Sequence, residues 1–141
     1  MIDTFAGPVI EQYSDAEQKA SRLDTAVHGI NTGAYVTDMS RIRANFAQWP
    51  NAVIVQGTVP DVLHTVPFER VAFLHIDMNC VFPERTALEC FWDRLSPGAT
   101  VLLDDYAYMG HDCQREAIDA VAHRFHTSVL ALPTGQGLLI R

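Results

Sequence analysis

Val71-Ala72-Phe73-Leu74-His75-Ile76-Asp77 and Thr100-Val101-Leu102-Leu103-Asp104-Asp105-Tyr106 are two short apolar runs that each end in acid, and their reading decides the fold. Both are rich in β-branched and large apolar residues and are bounded by turn or polar residues, the pattern of strands buried on both faces of a parallel sheet. Between them, Pro83 to Leu95 reads as a helix, and Ser96-Pro97-Gly98 stops it. The three pieces make a β-α-β unit, whose right-handed crossover brings both strand ends to one edge of the sheet. Asp77, Asp104 and Asp105 then meet where open α/β sheets bind ligands. Three converging carboxylates repel one another and call for a cation, a hydrogen-bond network or a raised pKa. A hard divalent ion is the simplest remedy, because Mg²⁺ and Ca²⁺ prefer oxygen ligands.

Outward from this unit the α/β pattern continues. Toward the N-terminus, Ala52 to Gly57 reads as a strand ending in glycine, and Val59 to Thr65 as a turn or short helical segment. Thr37 or Asp38 caps a helix carrying Met39, Ile42, Phe46 and Trp49 at helical spacing. Asp24 to Val36, with Gly29, Asn31 and Gly33 and no firm period, is expected to be loop. Ser14-Asp15-Ala16-Glu17 is a capping box opening a short polar helix to about Leu23. The residues before Gly7-Pro8 look like the last step of a strand. Toward the C-terminus, Gly110-His111-Asp112 leads into a helix to about Phe125, with Ile118, Val121, Ala122 and Phe125 as its buried stripe. Ser128 to Leu132 and Gly137 to Arg141 are strands. Pro133 to Gln136 between them is too short for a crossover helix, so they form an antiparallel hairpin.

At 141 residues this is one α/β domain spanning 1–141, near the commonest domain size. A formal net charge of -7 argues against a nucleic-acid partner, which wants a basic face. No apolar run is long enough to cross a bilayer, and the N-terminus carries no signal-peptide pattern. Cys80, Cys90 and Cys113 are an odd number without paired ligand spacing, as in reduced thiols of a cytoplasmic protein.

Leu74-His75-Ile76-Asp77, a helix, Leu95-Ser96-Pro97-Gly98 and Leu102-Leu103-Asp104-Asp105-Tyr106 together resemble the macrocin O-methyltransferase family. Asp3-Thr4-Phe5-Ala6-Gly7 resembles that family's turn after its second strand, and Leu132 to Gly137 matches a subgroup of bacterial members. The resemblance implies a Rossmann-like methyltransferase sheet, mostly parallel with the C-terminal antiparallel hairpin, S-adenosylmethionine as cofactor, and Mg²⁺ or a similar divalent cation. It also implies a small-molecule hydroxyl acceptor, such as a sugar. Two departures stand out. The family's second acid, two residues after the first, is Asn79 here, which cannot be a base but can coordinate or orient through its oxygen. The strand, glycine-rich turn and helix that open the family's cofactor site have no counterpart ahead of Asp3. The expectation is therefore an N-terminally incomplete, truncated domain, impaired as an isolated chain: a partial reading frame, a natural remnant or a subunit completed by another chain.

The resemblance assigns Asp77, Asp104 and Asp105 to the metal; the alternative is strand-end acids capping helix N-termini. His75 shares Asp77's face of its strand, so His75 or Asp77 assists deprotonation of the acceptor. Asp3 and Gly57 belong to the cofactor, Asp3 on the ribose hydroxyls and Gly57 where adenine nears the backbone. His111 is expected in solvent, and Thr134-Gly135-Gln136-Gly137 is expected to be a hairpin turn rather than a phosphate loop. Two rival functions stand beside methyl transfer: a non-catalytic oligomerising or binding remnant, and a metal-dependent hydrolase using the same carboxylates. The strand ending at Asp77 has no neighbour on one side unless Val53 to Gln56 pairs with it, which points to a homodimer that buries the edge.

Overall fold

The computed structural model describes residues 1–141. In chain order the elements are β1 (Ile2–Asp3), α1 (Asp15–Lys19), α2 (Arg22–Thr32), α3 (Met39–Asn45), β2 (Val55–Gln56), β3 (Val71–Ile76), α4 (Val81–Phe91), β4 (Leu95–Leu103), α5 (Asp112–Arg124), β5 (Leu130–Ala131) and β6 (Gly137–Ile140). β1 and β2 pair in parallel, Ile2 opposite Val55. The other four strands form a sheet in the order β3-β4-β6-β5. β3 and β4 are parallel, with His75 opposite Leu102 and Ile76 opposite Leu103. β6 runs antiparallel to both β4 and β5, so the chain ends in the expected hairpin.

The core lies where α4 and α5 cover the larger sheet. Leu88, Val101, Ile118 and Leu139 bring together α4, β4, α5 and β6, and each is at most 2% exposed. Trp92 and Phe125 stack beside them, ring centroids 4.4 Å apart and 4° from parallel. α4 begins two residues ahead of Pro83, which thus sits in the first turn, where a missing N–H breaks no helical bond. That first turn is held from elsewhere in the chain. The wholly buried Glu17 accepts from Val81 N–H at 2.8 Å and also closes the capping box of α1 with Ser14.

Three expectations are corrected. The stretch Asp24 to Val36 is not a loop: α2 runs through it to Thr32. Its glycines serve packing and termination. A Cβ on Gly29 would lie 3.0 Å from the Tyr35 ring, and Gly33 takes the left-handed cap (φ +69°) with its N–H on Gly29 and Ile30 carbonyls. β3 is not buried on both faces, since Ala72, Phe73 and His75 are exposed. Its outer edge has no partner, because Val55–Gln56 pairs with β1 instead. β4 starts at Leu95 rather than after the Ser96-Pro97-Gly98 stop: residues 96–99 bulge out between the Val71–Leu95 and Phe73–Thr100 pairs, with Gly98 at φ +79°. No helix is long and apolar enough to cross a membrane, and all three cysteines are free thiols.

Candidate functional site

β3 stops at Ile76 and β4 at Leu103, so Asp77, Asp104 and Asp105 follow directly on adjacent parallel strand ends. Successive strand residues would face opposite sides. Here the chain has left the extended conformation at Asp104, whose N–H still reaches the Ile76 carbonyl at 3.0 Å. One oxygen from each of the three carboxylates can therefore be chosen so that all lie within 4.8 Å of one another. Burial, followed by the charges of Asp104 and Asp105, raises the Asp77 pKa above the usual carboxylate range. Asp105 is raised as well, by burial and then by Asp104. No lysine or arginine forms an ion pair with any of the three. Hard oxygen donors and mutual repulsion, which Arg22 offsets only from a distance at Asp105, fit a divalent cation.

Neighbours orient two of these carboxylates. Gln136 donates from Nε2 to Asp104 Oδ1 at 2.8 Å, and His75 Nε2 stands 3.7 Å from the same oxygen. Asn79 donates from Nδ2 to Asp77 Oδ1 at 3.2 Å and accepts at Oδ1 from Arg22 at 3.4 Å. Its backbone is left-handed (φ +57°), a conformation asparagine tolerates, and its carbonyl accepts from the buried Tyr13 hydroxyl. Asn79 thus links Arg22 to Asp77.

A cleft of about 120 Å³ beside the carboxylates is lined by Asp3, Gly57, Tyr35, Asp77 and Asn79 among others, so both residues expected at the cofactor share a cleft with Asp77. Asp3 holds its own turn, accepting from Phe5 N–H at 2.7 Å. Gly57 donates its N–H to the Asp3 carbonyl, and a Cβ there would come 2.1 Å from Val62. Local packing alone therefore requires glycine at 57.

The sequence did not disclose the layer behind Asp105. His111, expected in solvent, is 3% exposed, and its Nδ1 lies 3.5 Å from Asp105 Oδ2. Burial, with Arg22 adding to it, pushes this imidazole down to about 4 and keeps it neutral. Gln114 and Glu84 are also buried, and Glu84 accepts from Met78 N–H at 3.3 Å. Burial drives the Glu84 carboxyl up to about 8. Gln114 sits beside both Glu84 and His111, with neither amide atom in hydrogen-bonding geometry. One signal was available: Gln114 precedes Ile118, and Glu84 precedes Leu88, by one helical turn, so each is a polar residue on an apolar stripe. Gln136 is in the expected hairpin turn, but that turn also belongs to the site.

A family described as a methyltransferase domain matches residues 4–106. The chain belongs to this methyltransferase family. The methyltransferase chain is 29% identical over 133 residues to the 8-demethyl-8-(2,3-dimethoxy-alpha-L-rhamnosyl)-tetracenomycin-C 4'-O-methyltransferase of Streptomyces olivaceus, covering 91% of this chain and 48% of that protein. It is 28% identical over 114 residues to the mycinamicin III 3''-O-methyltransferase of Micromonospora griseorubida, covering 75% of this chain and 42% of that one. It spans about half the length of these curated relatives. Among solved structures it resembles the O-methyltransferase NovP, with a TM-score of 0.79 at 21% identity over 99% of this chain and 58% of that one. The calicheamicin methyltransferase CalS11 matches with a TM-score of 0.64 at 18% identity, over 99% of this chain and 58% of that one. These likenesses establish the Rossmann-like methyltransferase fold.

Proposed function

We propose that this domain serves the transfer of a methyl group from S-adenosylmethionine to a sugar hydroxyl of a small molecule, assisted by Mg²⁺ or a similar ion held by Asp77, Asp104 and Asp105. The observation that carries the reading is the convergence of those three carboxylates within 4.8 Å on parallel strand ends, in a chain of the methyltransferase family. The sugar follows the relatives, one named for a rhamnosyl substrate and one structure titled as a TDP-rhamnose methyltransferase. Family membership supports methyl transfer over a hydrolase or a binding remnant.

When bound, the ion lowers the pKa of the acceptor hydroxyl and orients its oxygen. His75, exposed and beside Asp104, takes the hydroxyl proton as the oxygen accepts the methyl. Asp77, in the same carboxylate cluster, is the second candidate for that proton. Asp104 and Asp105 keep the cation in place while Gln136 and Asn79 fix the carboxylates they touch. Asp3 offers its free carboxylate oxygen to the cofactor ribose, and Gly57 presents bare backbone on the same cleft. Two such contacts are few, since affinity comes from many preorganised contacts together, and the isolated chain is expected to bind the cofactor weakly.

Isothermal titration of wild type and Asp104→Asn with Mg²⁺, Mn²⁺ and Ca²⁺ tests the metal. Heat from wild type alone is expected, and identical heats would sink the reading. Equilibrium dialysis of labelled S-adenosylmethionine tests the cofactor. Weak retention lost in Asp3→Ala is expected. Absent retention fits the same expectation of impairment, whereas a micromolar dissociation constant would remove the impairment.

The open β3 edge supports a homodimer. Between it and β1–β2 runs a groove of about 500 Å³, lined by Ile2, Val55, Val71 and Phe73 among others. Bare strand edges beside apolar surface invite pairing, and a second copy that covers them should bury at least roughly 1,000 Å² in total. Light scattering over a dilution series decides it; a clean monomer at tens of micromolar rules the dimer out. Free thiols suit a cytoplasmic setting, where cysteines stay reduced.

A further inference from the structure

Asp77 and Asp104 each accept a side-chain hydrogen bond, from Asn79 and Gln136. The Asp105 carboxylate accepts none, although its side chain is only 17% exposed. Facing it is His111, whose side chain is 4% exposed and whose Nδ1 is buried without a partner. The two groups stand 3.5 Å apart, a few tenths of an ångström beyond the usual N–H···O range. Leaving His111 Nδ1 unsatisfied at that depth is costly, and a bond to the Asp105 carboxylate relieves it. Gln114, also buried beside the ring, has neither amide atom in hydrogen-bonding geometry, so Asp105 is the carboxylate that faces Nδ1.

The backbone fixes His111 in this position. It precedes the first residue of α5, and its N–H donates to the Tyr108 carbonyl at 3.1 Å, closing the turn that follows Asp105. Its ring meets the Tyr108 ring edge-on, with centroids 5.9 Å apart. Behind it, the buried Gln114 occupies the next turn of the helix. A side chain held from backbone, face and rear has little rotamer freedom, which suits a group that orients another.

We propose that His111 is a positioning residue: it donates from Nδ1 to Asp105 Oδ2 and so fixes the orientation of that carboxylate within the cluster. Each of the three carboxylates then has one dedicated donor, Asn79 for Asp77, Gln136 for Asp104 and His111 for Asp105. Partners of this kind typically change metal affinity roughly 10–100-fold. The proposal rests on the metal reading only for its affinity measurement.

Two measurements test it. Mn²⁺ binding, followed by the resonance of the free ion, is compared in wild type, His111→Ala and His111→Asn, each checked for folding by circular dichroism. The asparagine Nδ2 occupies nearly the place of the histidine Nδ1. Alanine should therefore weaken Mn²⁺ roughly tenfold or more, while asparagine recovers most of the loss. Alanine binding like wild type, or asparagine as weak as alanine while both are folded, would overturn the proposal. Nitrogen-15 spectroscopy of the metal-free wild type reads the tautomer directly. The Nδ1–H form is expected, and the Nε2–H form overturns the proposal by itself. If wild type binds no Mn²⁺, the metal reading fails and the tautomer still decides His111.

Discussion

The two halves of the molecule are built differently. From β3 onward, one helix pair covers one sheet, and Leu88, Val101, Ile118, Val121 and Leu139 are almost wholly enclosed. Ahead of β3, the two strands are two residues each, and large side chains such as Met1, Val53 and Phe68 stay exposed. The candidate ligand groups straddle the seam. Asp3 and Gly57 stand on the thin side, while Asp77, Asp104 and Asp105 are anchored to the dense one. Stability and binding are thus partly separated. The side that holds Asp3 and Gly57 is therefore expected to open first, as binding segments of low local stability do.

Substitutions on either side of the seam should break or sharpen that contrast. Leu88→Ala empties a fully enclosed site and should cost about 3 kcal/mol, within the 2–5 kcal/mol range for such deletions, read by denaturant unfolding. Glu17→Ala cuts one tie between the halves, since it strands the donors of Ser14 and Val81. A loss of about 2 kcal/mol is expected, with hydrogen exchange rising in α1 and at the start of α4 but not in β4 or β6. Uniform acceleration would mean that the halves unfold as one.

Glu84 tests the dense half by pH. Its carboxyl titrates near the ordinary 4.5 in the unfolded chain and near 8 in the fold, raised chiefly by burial. Below that window both states hold the proton. As pH rises through it only the unfolded chain has lost the proton, so this group subtracts stability until about pH 8 and then levels off. Glu84→Gln keeps an acceptor for Met78 and should flatten the fall, with a gain on the order of 1 kcal/mol above pH 8. An unchanged pH profile would contradict it. The smallest effect belongs to the open edge. Phe73 is 59% exposed, and Phe73→Thr should change monomer stability by less than about 0.5 kcal/mol. If it also weakens self-association in the dilution series, the edge is the contact.

The elements that sequence made legible are those set by local pattern. The two acid-ended strands, the helix between them, the Ser14–Glu17 capping box and the closing hairpin all follow from period, length and turn chemistry. The run from His75 to Tyr106 also carried the family resemblance. α2 was hidden because Gly29 and Gly33 read as loop until Tyr35 is seen against one and the helix end at the other. The exposure of β3 was hidden because burial depends on what lies alongside a strand, not on the strand. Gln114 and Glu84 were hidden for a related reason, since single polar residues on apolar stripes gain meaning when two helices bring them together. His111 was hidden because a residue just ahead of a helix reads as loop until its burial is seen.

Gln136 reaches Asp104 across 32 residues of chain, from the turn just ahead of β6. Synthesis runs from N to C, so both acid-ended strands are made before the donor that fixes one of their carboxylates. Until that turn docks, Asp104 is without its side-chain donor. A chain that lost this turn would therefore keep all three acids and lose only the donor that holds Asp104.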